Sequence, residues 1–130
     1  MSDLLSAMSA SASGMNAQST RLRLSAENMA NVDTPGYRRK LVPFEALDAE
    51  RAGGAAVRTG RMQLAEGDLP RVFDPAHPLA DEEGYYEGST VNLIVEIADA
   101  REAQRSYEAN LRLLDQARQM NQGLLELMRR

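Results

Sequence analysis

Both ends of this 130-residue chain place apolar residues at helical spacing, while glycine and proline repeatedly interrupt the stretch between them. From Leu5 to Met29 the order Leu5, Met8, Ala12, Met15, Ser19, Leu22, Ala26, Met29 alternates steps of three and four, which puts all eight on one helical face. Met8, Met15, Leu22 and Met29 form the stronger seam. Leu5, Ala12, Ser19 and Ala26 form a small-residue seam along which a neighbouring helix can approach closely. Ser9, Ser11, Ser13 and Gly14 lower the intrinsic helix propensity, so the segment depends on packing for its order. A surface helix on an ordinary small domain accounts for this stripe equally well.

The second periodic segment runs from Asn92 to Met128, with Leu93, Ala100, Tyr107, Leu114, Asn121 and Met128 at intervals of seven. Ala103, Ala117 and Leu124 flank that series on one side, and Ile97, Leu111 and Leu125 on the other. Leu113, Met120 and Leu127 widen the stripe further, so this helix requires more than one neighbour. Glu108 with Arg112, and Arg112 with Asp115, add helix-stabilising pairs worth roughly 0.2 to 0.5 kcal/mol each when exposed. If continuous, the segment is about 55 Å long at ~1.5 Å per residue. Tyr107, with Asn110 nearby, is expected to pack at a subunit contact rather than purely within one chain, because core material is short.

The middle is built differently. Thr34-Pro35-Gly36 is a turn that ends the first helix: proline fixes φ, its predecessor avoids the α region, and glycine accepts positive φ. Asn28, Asn31 and Asp33 stand where that helix ends, with short side chains able to bond local backbone groups. Tyr37 is expected to pack on the helical layer with a hydroxyl bond and so fix the exit direction. Arg38 to Phe44 and Ala56 to Leu64 read as short extended pieces. The predicted organisation is a helix and turn over 1–37, a small β/loop module over 38–90 and a helix over 91–130. The fold class is therefore mainly α, with two long terminal helices packing as a coiled-coil or bundle layer.

Composition restricts the chemistry. One domain's worth of residues contains four Tyr, two Phe and no Trp, so seven Met and many Leu and Ala must supply the core. Without cysteine there is no disulfide, thiolate metal site or cysteine nucleophile. The only histidine, His77, lies between Pro75 and Pro78 near Asp74 and Asp81; a stiff turn accounts for it better than a metal-dependent enzyme site. Asp81, Glu82 and Glu83 lack the spacing of a calcium loop, and Gly53-Gly54 lacks the rest of a phosphate cradle. No enzyme, cofactor or metal is expected. The net charge of −4 argues against nucleic acid, although Arg38-Arg39-Lys40 can touch a phosphate or an acidic protein surface. Residues 1–30 and 91–130 are each charge-balanced, leaving the excess on 31–90, with eleven acids against seven bases. Asp3, with no basic region before a continuous apolar core, does not fit a secretory signal.

Ala30-Asn31-Val32-Asp33-Thr34-Pro35-Gly36-Tyr37 matches the ANxxTPGY signature of the flagellar rod and hook axial family. His77-Pro78-Leu79-Ala80-Asp81, Gly84-Tyr85, Val91-Asn92 and Arg105-Ser106-Tyr107-Glu108-Ala109-Asn110 extend the resemblance over nearly the whole chain, to that family's proximal-rod members. Thr90-Val91-Asn92 departs from the proline that members commonly place before the asparagine.

The resemblance implies a structural subunit of the proximal rod of the bacterial flagellar basal body, a drive shaft crossing the periplasm. A sister rod or hook subunit is the alternative. It further implies export by the flagellar type III apparatus without a cleaved signal, and polymerisation with other copies, other proximal rod subunits and the rod-to-ring junction protein. Leu4 to Met29 and Leu93 to Met128 would form the inner helical layer and 38–90 the outer one. Met8, Met15, Leu22, Met29, Asn31, Thr34, Pro35, Gly36, Tyr37, Leu79, Asp81, Tyr85, Asn92, Tyr107, Asn110, Leu114 and Leu124 are the candidate assembly residues.

Overall fold

The computed structural model describes residues 2–47 and 56–130. Two helices dominate it: α1, Ser2–Ala30, and α2, Leu93–Arg129. α1 extends beyond its apolar stripe at both ends, and α2 by one residue at its C-terminal end. Asn92 caps α2, its side chain accepting from the Ile94 and Val95 amides, which a helix start otherwise leaves unpaired.

The helices run antiparallel. Arg21 of α1 meets Asp99 and Glu102 of α2 at 3.4 Å, whereas Leu4, Ala7 and Ser11 lie beside Ala117, Met120 and Leu124. The line used for this contact differs from the small-residue seam read from the sequence. Leu5, Ala12, Ser19 and Ala26 are exposed, and α2 instead approaches along Ser11, Gly14, Ala17 and Asn28. The approach is close at Gly14, where a Cβ would lie 2.9 Å from the Asn110 side-chain amide. Met8, Met15, Leu22 and Met29 are half-buried.

Three antiparallel ribbons fill the middle. β1 (Lys40–Leu41) pairs with β4 (Gln63–Leu64), and β2 (Phe44–Ala46) with β3 (Val57–Thr59). These are the expected extended pieces, joined as one long interrupted hairpin. The register changes by one residue between the two ribbons, from Lys40↔Leu64 to Phe44↔Thr59, as a bulge requires. Gly60 sits at that break: its amide donates to the Pro43 carbonyl at 2.8 Å, and a Cβ would strike Pro43 and Glu45. The Val57 amide donates to the Ser13 hydroxyl at 3.1 Å, laying the hairpin along α1. The third ribbon, β5 (Arg71–Phe73) with β6 (Tyr85–Glu87), is absent from the sequence reading. Its strands are three residues long, β5 lying between Pro70 and Pro75 and β6 between Gly84 and Gly88, and are too short to show alternation.

Among the described residues, the buried apolar side chains are Ala17, Leu24, Ala56, Ala103 and Ala117, and the largest fully buried side chains are Glu96 and Asn28. Four alanines and a leucine remove little apolar surface from water. The lone chain is consequently held at its centre by polar contacts.

Candidate functional site

The turn after α1 positions the central polar cluster. Pro35 precedes Gly36, whose φ of +74° suits the third position of a type II turn, and the Tyr37 amide closes the turn on the Thr34 carbonyl at 3.2 Å. Asn31 donates from its side chain to the Glu27 carbonyl at 2.8 Å and accepts from the Thr34 hydroxyl at 3.1 Å, so it ends α1 and braces the turn together. The Gly36 amide points at the carbonyls of Glu87 and Gly88, and the Thr90 amide donates to the Tyr37 carbonyl at 3.0 Å. The turn is thereby tied to the chain leading into α2.

Beneath it, Asn28 is 1% exposed and uses both ends of its side chain. Its oxygen accepts from the Tyr37 hydroxyl and the Lys40 amide, each at 2.9 Å. Its nitrogen donates to the Lys40 carbonyl at 3.0 Å and to Glu96 at 3.2 Å. One side chain thus holds α1, the turn, β1 and α2 together. Glu96, fully buried, also accepts from Arg39, which reaches Asp99 as well; the second carboxylate oxygen of Glu96 meets no donor among the described residues. Burial raises the pKa of the Tyr37 hydroxyl, with Glu27 and Glu96 adding to the rise and Lys40 opposing it.

The basic run belongs to this junction. Arg38 donates to the Ala65 and Gly67 carbonyls at 3.0 and 2.7 Å, Arg39 pairs with Glu96 and Asp99, and Lys40 donates to Glu27 at 3.0 Å. That Lys40 bond, reinforced by Arg23, holds the Glu27 carboxyl below its ordinary pKa. All three cations have partners within the chain.

The third ribbon carries a second polar cluster. Asp81 accepts from the amides of Tyr85 at 3.0 Å and Glu83 at 2.9 Å and from Arg71 at 3.0 Å. The Tyr85 amide bond leads in lowering its pKa, followed by the Glu83 amide and the Arg71 charge. Arg71 also lies 4.7 Å over the Tyr85 ring, while His77 stacks on Tyr86 at 3.9 Å and accepts from the Leu79 amide. His77 and Asp81 therefore shape this loop. No group of three or more potential ligands among the described residues is placed to hold a metal.

The remaining candidate residues lie on or near the surface. Tyr107, Asn110 and Leu114 are half-buried along α2; Leu79 and Leu124 are 65% and 42% exposed. Ile94, Leu113, Met120, Leu127 and Met128 are also exposed, so α2 keeps an apolar surface that α1 does not cover. Sequence reasoning missed Glu96 and left the partner of Arg39 open. Extending the flanking series Ala103 and Ala117 by sevens gives Asn110 and Glu96, which are polar members of the line that faces α1.

Residues 4–38 match the family described as flagella basal body rod protein, and residues 82–127 match flagellar basal body rod FlgEFG protein C-terminal. The flagellar basal-body rod protein FlgC of Agrobacterium fabrum is 38% identical over 136 residues, covering 99% of this chain and 98% of that protein. The protein of the same name from Salmonella typhimurium is 33% identical, covering 90% and 92%. That from Bacillus subtilis is 29% identical, covering 92% and 95%. The chain belongs to the flagellar basal-body rod protein FlgC family.

Proposed function

We propose that this chain is a structural subunit of the proximal rod of the flagellar basal body, polymerising into the drive shaft that transmits torque. The observation that carries the reading, given the family, is the disproportion between core and surface. A core of four alanines and a leucine coexists with Ile94 at 79%, Leu127 at 68% and Met128 at 73% exposure on one helix. Neighbouring subunits would bury those side chains, at roughly 25 cal/mol per Å² before association costs. Mechanism here is geometry: the helix pair forms the packed layer, and the Asn28–Glu96–Arg39 junction holds the β/loop module at a fixed angle to it.

The candidate residues divide accordingly. Asn31, Thr34, Pro35, Gly36 and Tyr37 set the turn, and Asn92 starts α2. Met8, Met15, Leu22, Met29, Tyr107, Asn110, Leu114 and Leu124 belong to the helical layer and its contacts; Leu79, Asp81 and Tyr85 belong to the outer module. We assign the partners as other copies of this chain, other proximal rod subunits and the rod-to-ring junction protein. Export would proceed through the flagellar type III apparatus without a cleaved signal, to a rod crossing the periplasm. The reading assigns the chain no catalytic role.

Replacing Leu127 or Met128 with Asp tests this, because they are 68% and 73% exposed, neither lines the groove between the helices, and the lone chain should fold unchanged. The expected result is unaltered circular dichroism of the purified chain with loss of swimming and of rods in complemented cells. Normal swimming from both variants would overturn the assigned contact surface.

A further inference from the structure

The outward side of the first half of α2 has no partner among the described residues. Ile94, Ile97, Ala98, Arg101 and Arg105 line a depression there, along with Glu102. Ile94 is 79% and Ile97 40% exposed. Two acids of this half of the helix, Glu96 and Asp99, are drawn inward to Arg39; Glu102 meets Arg21 at 3.4 Å from the rim of the depression, its side chain 68% exposed, so two arginines face one paired carboxylate there. No ion pair among the described residues engages Arg101 or Arg105. The face is therefore apolar at one end and cationic at the other, spanning roughly 17 Å at ~1.5 Å per residue.

A surface of opposite charge is present on the same chain. The loop of the β5–β6 ribbon exposes Leu79 at 65% beside Glu82 and Glu83. Asp81 is occupied by Arg71 and two backbone amides, and Glu83 meets Arg71 only at 3.7 Å, leaving Glu82 and Glu83 facing solvent. Among the described residues these acids form no pair with Arg101 or Arg105. Each surface thus offers an exposed aliphatic group beside charge that no ion pair among the described residues engages at Arg101, Arg105 and Glu82 and that Arg71 meets only at 3.7 Å at Glu83, and the two charges are opposite.

We propose that the Ile94–Arg105 face of α2 docks a second copy of this chain, through that copy's Leu79–Glu83 loop. The proposal rests on the reading of the chain as a polymerising subunit and names one contact it uses. Two different patches on one chain make a heterologous contact, which repeats from copy to copy as a ring or helical array and does not stop at a dimer. Charge complementarity would set the register, and Leu79 against Ile94 and Ile97 would supply the apolar burial.

The chain has no cysteine, so an introduced pair reports this contact alone. The test uses the full chain carrying Ala80→Cys and Ala98→Cys, which leaves every proposed contact charge in place, produced in cells without the native copy, with basal bodies purified and treated with a short bis-maleimide. Covalent dimers and larger multiples from the double variant, and none from either single variant, are expected. Basal bodies that contain the variant but yield no multiples, or yield products only with a different protein, overturn the contact. Absence of the unsubstituted chain from basal bodies overturns the subunit reading itself. In an otherwise native chain, Arg101→Glu with Arg105→Glu should lower swimming by about tenfold, because like charges then oppose each other across the contact. Adding Glu82→Arg and Glu83→Arg to that chain should restore swimming, and failure to restore it also counts against the contact.

Discussion

The Tyr37 hydroxyl donates to the Asn28 side-chain oxygen at 2.9 Å, joining the residue after the turn to the last helical layer before it. The same oxygen accepts the Lys40 amide, and the nitrogen beside it reaches Glu96. Tyr37 is therefore one of several groups on a shared anchor.

Substitutions at this anchor should be graded. Tyr37→Phe removes one bond and should cost about 1 kcal/mol, whereas Asn28→Ala strands several buried groups and should cost about 3 kcal/mol. Urea unfolding of the purified chain measures both, and equal losses would contradict a shared anchor. Because burial raises the folded Tyr37 pKa above 10.0, the unfolded chain loses that proton first on going alkaline. The associated stability should be fully present below the unfolded value and lost as pH rises through the folded one. Tyr37→Phe should abolish that part of the alkaline decline.

Much of this layout was legible in the sequence for identifiable reasons. The helices announced themselves because 3.6-residue periodicity over many turns leaves an unambiguous stripe, and Thr34-Pro35-Gly36 because backbone sterics act locally. The junction was less accessible. Glu96 and Arg39 lie 57 residues apart, and nothing local distinguishes a buried charge pair from solvated charges. The face of α1 that meets α2 was also misjudged, since selection of a face depends on Gly14 admitting Asn110 and on Asn28 meeting Glu96. Both are long-range facts. The β5–β6 ribbon escaped because its short strands are organised by Asp81, Arg71 and Tyr85 from either side of a loop.

Gly14→Ala offers a test of the helix crossing. Alanine improves helix propensity by about 1 kcal/mol, but its Cβ would displace the Asn110 amide. That amide donates to the Ser106 carbonyl at 3.0 Å, so moving it forfeits a bond worth about 1 kcal/mol. Gly14→Ala should therefore give no net gain in the native background. In an Asn110→Ala background the obstacle is gone, and the same change should stabilise by about 1 kcal/mol. A thermal-unfolding cycle with no difference between backgrounds would place the helices farther apart than described.

Asp81 should titrate below its ordinary value, chiefly because of the Tyr85 amide, with the Glu83 amide and Arg71 contributing. Its folded pKa lies below that of the unfolded chain, so the stability linked to it is present above the unfolded value and lost as pH falls through the folded one. Amide resonances of Glu83 and Tyr85 should report the transition together. Asp81→Asn retains an oxygen for those amides and should preserve the loop fold; Asp81→Ala should disorder it. Identical spectra for the two variants would remove Asp81 as the organiser of this loop.

The thin core makes the purified chain itself informative. An isolated helix is marginal in water without an apolar face to bury, and α1 carries Ser9, Ser11, Ser13 and Gly14 in its first half. Along the facing half of α2, Leu113, Met120, Leu124 and Leu127 are all at least 40% exposed. The polar junction is at the other end of the pair, where Asn28, Glu96 and Arg39 meet. Helicity should consequently be strongest near the junction and weakest toward Ser2 and Arg129. Hydrogen exchange should show protection falling along both helices away from Asn28 and Glu96, and circular dichroism should show helix gained when subunits assemble. A monomer that is fully helical, with uniform protection and one cooperative transition, would mean that the chain stabilises its ends alone and that packing between subunits is not their source of order.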